Sequence, residues 1–292
     1  MFVTRLISGI SLVIIALVTI LAGNGVLAVT LCLVSLIAYR ELTMACKVHT
    51  EDRKWNALEL AGMALTAAYY VSLFIMLYRA NENGDGIEEV YPVVMIAVVV
   101  GLILFLFIYV FAFPRYQAAQ VMAAMFSWLY APVLLSFIYL IREGFSDGNY
   151  LVWFVFLCSW GSDTCAYAVG VLIGKHKMTP KLSPKKSVEG AVGGVLGAAL
   201  LFVLYTHFVI NIYTSVSLPL LIAALLGAAG ALVSMVGDLA ASAIKRDHDI
   251  KDYGKLIPGH GGIMDRFDSV IIAAPLIFIG LVIIGSLSGA VL

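Results

Sequence analysis

The feature that most limits what this chain can become is a succession of apolar runs, each close to the length that crosses a bilayer. A helical crossing takes about 20 mostly apolar residues. Nine runs answer to that: 6–22, 26–39, 58–78, 92–113, 119–141, 150–173, 190–212, 217–244 and 269–290. They are continuous rather than alternating, which favours helices over a barrel. The first two are separated by little more than Gly23, Asn24 and Gly25, the pattern of a tight helical hairpin, and the second is short. The run that follows Arg5 is too long for a signal-peptide core and no A-x-A site follows it, so it is read as a retained first span. Of the 292 residues, 62% are hydrophobic and 12% charged, against about 45–50% and about 25% in soluble domains. No polar stretch is left over for a separate soluble domain. The expected fold is all-α, a polytopic transmembrane helical bundle of about nine spans forming a single membrane-embedded domain over 1–292.

Basic residues orient the bundle. With the N-terminus cytoplasmic, every Lys and Arg except Arg79 and Arg142 falls in a cytoplasmic segment: Arg5; Arg40, Lys47, Arg53 and Lys54; Arg115; Lys175, Lys177, Lys181, Lys185 and Lys186; Lys245, Arg246, Lys251, Lys255 and Arg266. That asymmetry is what the positive-inside rule predicts, and eight or ten spans would break it. The outer loop 79–92, with Glu82, Asp85, Glu88 and Glu89, reads as a solvated loop. The segment 40–57 mixes charges with Leu42, Met44, Val48 and Trp55, a weak interfacial-helix pattern. Net charge is zero, so nothing argues for nucleic acid as a partner. The cysteines, Cys32, Cys46, Cys158 and Cys165, form no CxxC pair and read as small core residues. Gly190 with Gly194 and Gly193 with Gly197 make two overlapping GxxxG spacings, which point to close helix packing.

Chemistry gathers in two polar regions expected on the cytoplasmic side. The first runs from Trp160-Gly-Ser-Asp-Thr through Gly174-Lys175 to Ser183-Pro-Lys-Lys-Ser-Val-Glu-Gly190. Asp163 lies inside the sixth span, where an ionisable group costs about 2.5–3.5 kcal/mol, so a functional role is the default reading. The second begins in the eighth span. Ser234, Asp238, Ser242 and Lys245 are spaced to share one helical stripe, and such a stripe must face protein or water. Arg246, Lys251 and Asp252 follow, then Ile257-Pro-Gly-His-Gly-Gly262, then Asp265, Arg266, Asp268 and Ser269 at the start of the ninth span. Carboxylates amid cations suit phosphate chemistry: Mg²⁺ takes one or two carboxylates plus substrate phosphates, Lys and Arg hold the remaining oxygens, and backbone N–H groups of a glycine-rich loop before a helix hold anions. His260, in a tight loop beside acids, is a candidate catalytic group. His49, His176, His207 and His248 are given no role, and Lys175, Lys177 and Lys181 read as topogenic or headgroup contacts. No HExxH, GxSxG or P-loop signature occurs.

The run S-x2-K-R-x4-K-D-x4-I-P-G-H-G-G-x2-D-R-x-D, from Ser242 to Asp268, closely resembles the signature of the phosphatidate cytidylyltransferases, or CDP-diglyceride synthetases. Asp163-Thr164, Ala166-Tyr167, Gly174-Lys175, Ser183-Pro-Lys-Lys-Ser and Glu189-Gly190 match too, so the likeness covers about 150–290; earlier residues match only in hydropathy and small pieces such as Arg40-Glu41. Val171 departs, standing where family members often carry a basic residue, and Ser187 replaces the usual Thr. The resemblance implies an integral enzyme of the cell membrane, nine spans per subunit of a homodimer, that uses Mg²⁺, with room for a second cation, to join CTP to phosphatidic acid. It makes 150–292 the catalytic part and 1–149 scaffold and dimer contacts. By the same likeness Asp238 and Asp265 match the metal-binding acids, with Asp268 and Asp163 behind them. Catalytic candidates are then Asp238, Asp265, Lys245, Arg246, Arg266 and His260. Substrate-binding candidates are Ser183, Lys185, Lys186, Ser242, Lys251, Asp163, Gly261 and Gly262. The runner-up readings are nucleotidyl or phosphoryl transfer to another lipid or polyprenol and, in a different class, a membrane transporter.

Overall fold

The protein is described as a computed structural model covering residues 2–48, 56–83 and 87–288. His49, Arg53, Lys54, Trp55 and Asp85 lie outside the described residues, as do the side chains of Arg5, Glu88 and Glu89. The long helices are α1 Phe2–Ala22, α2 Asn24–Ala45, α3 Ala57–Asn83, α4 Tyr91–Phe111, α5 Ala118–Gly144, α6 Gly148–Ile173, α7 Val188–Tyr213, α8 Leu220–Asp247 and α9 Met264–Ser288. Among the described residues, all but α1 are long and apolar enough to cross a membrane, and α1 adds the apolar stretch Ile7–Ala22. α4 shows why lipid is the solvent: its side chains are apolar all round and mostly outward, and Phe111 at its end is 81% exposed.

Every expected span is present as a helix, and several run past their expected ends; in α2, α8 and α9 the added residues have an electrostatic reason. α2 continues through Arg40 and Glu41 to Ala45, because Arg40 pairs with Glu59 and Glu41 accepts two backbone N–H groups. α8 continues to Asp247, its last turn holding Lys245 and Arg246 where the helix dipole favours cations. α9 begins at Met264 with Asp265 in its first turn, where the dipole favours an acid.

The chain forms two compact units, 1–139 with 247–266, and 140–246 with 267–292. In the first, Gly23 alone joins α1 to α2, with φ of 61° there and 46° at Asn24, values that suit Gly and Asn. Two buried tyrosine hydroxyls of this unit illustrate how polar groups are satisfied away from water. Tyr69 pairs with Ser136 at 2.8 Å, and Tyr70 pairs with Ser35 at 2.8 Å and donates to the Pro132 carbonyl at 3.2 Å. Pro132 sits in a π-helical segment of α5, Leu129–Val133. Asn56 and Glu59 close a reciprocal cap at the start of α3, each side chain accepting the other's backbone N–H.

In the second unit α6 and α7 pack closely along the small residues. A methyl carbon at Gly193 would lie 2.5 Å from Val169, and one at Gly197 2.5 Å from Cys165. Between these helices lies a two-stranded antiparallel hairpin, β1 Lys177–Thr179 and β2 Ser183–Ser187, with Lys177 opposite Ser187 and Thr179 opposite Ser183. The sequence reads as a plain polar loop at this place. Ser187 then caps α7 by accepting from the Gly190 N–H at 3.1 Å. Glu189 in the same turn accepts from the N–H groups of Lys175 and His176 and pairs with His176 Nδ1 at 2.5 Å.

Candidate functional site

The second unit holds a cavity of about 490 Å³. One part of its wall is charged: Asp163 of α6, Lys177 of β1, Lys185 and Lys186 of β2, and Asp238 of α8. Ser162 and Ser187 add hydroxyls, and much of the rest is apolar, from Ala166, Tyr167 and Val171 of α6, Met178 of β1 and Met235 of α8. The hairpin explains how the lysines reach the helices. Pairing with β1 fixes β2, and the Lys186 ammonium contacts the Asp238 carboxylate. Asp238 itself follows Gly237, where a side chain has no room: a methyl carbon would lie 2.8 Å from the Asp268 carbonyl oxygen. That close approach of α8 to α9 brings Asp268 under the charges of Asp238, Lys245 and Asp163. Asp268 is buried, and one of its carboxylate oxygens accepts the N–H of Ser269 at 2.9 Å. Ser234, one turn before Asp238, is buried, so the polar stripe of α8 faces protein at that turn, while Asp238, Ser242 and Lys245 are half-buried. Arg246 reaches the Leu182 carbonyl at 3.4 Å, tying the end of α8 to the hairpin turn.

The first unit holds the glycine-rich segment. Ile257-Pro-Gly-His260 is a turn closed by the His260 N–H on the Ile257 carbonyl at 2.9 Å, with Pro258 second and Gly259 third at φ 79°. Those are the residues a type II turn requires. Gly261, at φ 84°, returns its carbonyl to the Ile257 N–H at 2.8 Å. His260 Nδ1 pairs with Ser8 of α1 at 2.7 Å, and the His260 carbonyl accepts from Arg266 Nε at 3.2 Å. Asp265 is buried, and its Oδ2 accepts the N–H groups of Tyr253 at 2.8 Å and Gly262 at 3.0 Å.

The candidates therefore fall into two groups. Asp163, Lys185, Lys186 and Asp238 meet at one cavity, with Asp268 and Lys245 in electrostatic reach. His260, Gly261, Gly262, Asp265 and Arg266 form one loop and helix start. Ser183, at the start of β2, and Ser242, on α8, are not part of the cavity wall, and Lys251 is exposed in the loop after α8. Sequence reasoning passed over Lys177, now in the wall, and Glu41, whose carboxylate accepts the N–H groups of Ile263 at 3.1 Å and Met264 at 2.8 Å.

The model of the cytidylyltransferase family matches residues 3–284, nearly the whole chain. The chain belongs to the cytidylyltransferase family. It is accordingly a nucleotidyl-transferring enzyme. Among its relatives, a phosphatidate cytidylyltransferase of Staphylococcus haemolyticus is 31% identical over 278 residues, covering 95% of this chain and 98% of that one. One of Staphylococcus epidermidis is 30% identical with the same coverage. One of Staphylococcus saprophyticus is 34% identical over 152 residues, 52% of this chain and 56% of that one. In this cytidylyltransferase both groups of candidate residues fall within the matched span, as does Glu41.

Proposed function

We propose that the protein transfers the cytidylyl group of CTP to phosphatidate, giving CDP-diacylglycerol and pyrophosphate, at the cytoplasmic face of the cell membrane. Two things support the substrate pair: the relatives that match over nearly their whole length are named for it, and the cavity has a wall of two characters. The observation that carries most is that wall, with ammonium groups at Lys185 and Lys186 for phosphate and the side chains of Tyr167, Val171 and Met178 for an acyl chain. A wall all charged would suit a nucleotide alone, and one all apolar would suit a lipid tail alone.

Mg²⁺ binds hard oxygens and is completed by water and substrate phosphates. Among the described residues no group of three or more His, Cys, Asp or Glu could hold a metal unaided. Asp238, however, presents its carboxylate to a cation, the Lys186 ammonium, and lies under the charge of Asp268. Such acids fit an ion shared with a nucleotide, and we assign Asp238 and Asp268 to it, with a second cation left open; Asp265 is proposed as a metal-binding acid on the likeness to the family alone. Held by these acids, Mg²⁺ would supply positive charge to offset that of the CTP phosphates and the pyrophosphate.

The chain's own residues do the rest. The phosphate monoester of phosphatidate is an oxyanion near neutral pH, so no strong base is needed. Lys185, Lys186, Lys245, Arg246, Lys251 and Arg266 divide the triphosphate and the lipid phosphate between them, drawing off negative charge that would repel the attack. Ser183 and Ser242 are assigned to hydrogen bonds with substrate, and Gly261 to a backbone contact with an anion, whereas the Gly262 N–H is already taken by Asp265 Oδ2 and is withdrawn from substrate binding. His260 holds the turn by its Ser8 contact and steadies Arg266 through its carbonyl. A lipid phosphate oxygen forms a bond to the α-phosphorus of CTP, the bond from that phosphorus to the α–β bridging oxygen breaks, and pyrophosphate leaves with the electron pair.

We further propose a single membrane-embedded domain, a homodimer, and a cytoplasmic N-terminus, the last on the asymmetry of Lys and Arg. The substrate assignment is tested by giving purified protein in detergent base-labelled CTP, Mg²⁺ and a panel of acceptors: phosphatidate, diacylglycerol, a polyprenyl phosphate and no lipid. Label should move into lipid with phosphatidate alone. Faster labelling of the polyprenyl phosphate would transfer the assignment to that class of lipid.

A further inference from the structure

We infer that Glu41 is a positioning residue for Asp265, acting from α2 on the loop that carries it. This rests on the proposal that Asp265 works in cytidylyl transfer. Glu41 is buried, and it spends its two carboxylate oxygens on the consecutive N–H groups of Ile263 and Met264, more than two hundred residues away in sequence. These are N–H groups at the start of α9, which have no partner within the helix. Asp265 Oδ2 takes the neighbouring Gly262 N–H and, across the loop, that of Tyr253. Three successive amides, at 262, 263 and 264, are thus shared between the two carboxylates.

The glycines on either side are shaped for this clamp. A methyl carbon at Gly254 or at Gly262 would collide with the Glu41 carboxylate, and one at Gly261 would lie 2.7 Å from Asp265 Oδ2. The glycine-rich stretch therefore serves more than turn geometry, because it lets two buried acids approach one piece of backbone. A helix start alone could be capped by a local Ser or Asp. A cap from another helix fixes where the loop lies, and with it the direction of the Asp265 carboxylate.

Glu41→Gln keeps the size and one acceptor oxygen but turns an NH₂ toward a backbone N–H. Residues that orient a metal's partners typically cost about 10–100-fold in metal affinity or activity when changed. E41Q is expected to lower kcat and raise the Mg²⁺ concentration for half-maximal rate by factors in that range. The KM for phosphatidate should stay as in the wild type, a split that general loss of folded protein would not produce. Gly262→Ala, which pushes a methyl group against the same carboxylate, should reproduce the split independently. Amide exchange without substrates reads the clamp itself: the amides of Ile263 and Met264 should be slow in the wild type and faster in both variants. Wild-type kcat and Mg²⁺ response in E41Q or in G262A, with the amides loosened, would overturn the inference. Should E41Q fail to fold, G262A and the wild-type exchange decide, and rapid exchange at 263 and 264 in the wild type overturns it. Absence of any CDP-diacylglycerol with the wild type would instead defeat the proposed reaction, leaving the exchange result to stand or fall separately.

Discussion

At the scale of single residues, two carboxylates illustrate how a charge is kept near a membrane. Asp238 is half-buried and meets the Lys186 ammonium, whereas Asp265 is buried and meets backbone N–H groups. Because one oxygen of Asp265 makes both described backbone contacts, Asp265→Asn can keep them and lose only the charge. The variant is expected to insert and fold as the wild type does, while pyrophosphate release falls by at least about 100-fold, the upper end of what removing even an outer partner of a metal costs. Near-normal release would remove Asp265 from the metal assignment. Asp238 and Asp265 stand out in the sequence because an acid beside an apolar run needs a reason. Glu41 also adjoins such a run, but the Arg40 next to it makes the pair look like an ordinary membrane boundary. What distinguishes it is a contact to 263 and 264, which no local pattern reveals.

At the scale of elements, the pairing of α6 with α7 positions the cavity wall, since α6 carries Asp163 and α7 follows directly from β2. Apolar side chains gain little by leaving lipid for one another, so such pairs depend on close packing of small residues. Gly193→Ala would set its methyl carbon 2.5 Å from Val169, and overpacking of this sort costs typically about 1–3 kcal/mol. A lowered midpoint of thermal unfolding in detergent is expected. Leu172→Ala, on a residue 79% exposed, should leave the midpoint unchanged. The GxxxG spacing made this interface legible, and hydropathy made the nine long helices of the described residues legible. The β1–β2 hairpin was not, because Lys177-Met-Thr179 and Ser183-Pro-Lys-Lys-Ser187 lack the alternation of a strand with one buried face. Nor were the π-helical segments of α5, α6 and α7, which shift hydrogen bonds without altering hydropathy. The Pro-Gly turn at 258 and 259 was foreseen only as a glycine-rich loop, though its type follows from those two residues.

At the scale of the whole molecule, the proposed topology has an odd number of crossings and a cytoplasmic N-terminus. Reporters fused at either end should therefore respond on opposite faces of the membrane, the N-terminal one in the cytoplasm, and matching faces would reject nine spans. The family is settled by a match across residues 3–284, but family membership leaves the chemistry of transfer to be measured. In the proposed reaction the α-phosphorus of CTP passes to phosphatidate while the outer two phosphates leave together. The direct measurement is a single-turnover assay of purified protein with phosphatidate, Mg²⁺ and CTP radiolabelled at either the α- or the γ-phosphorus. The expected result is α label in lipid, γ label in pyrophosphate, and equal yields of the two. Label from the γ-phosphorus in lipid, or label in pyrophosphate with no lipid product, would contradict it.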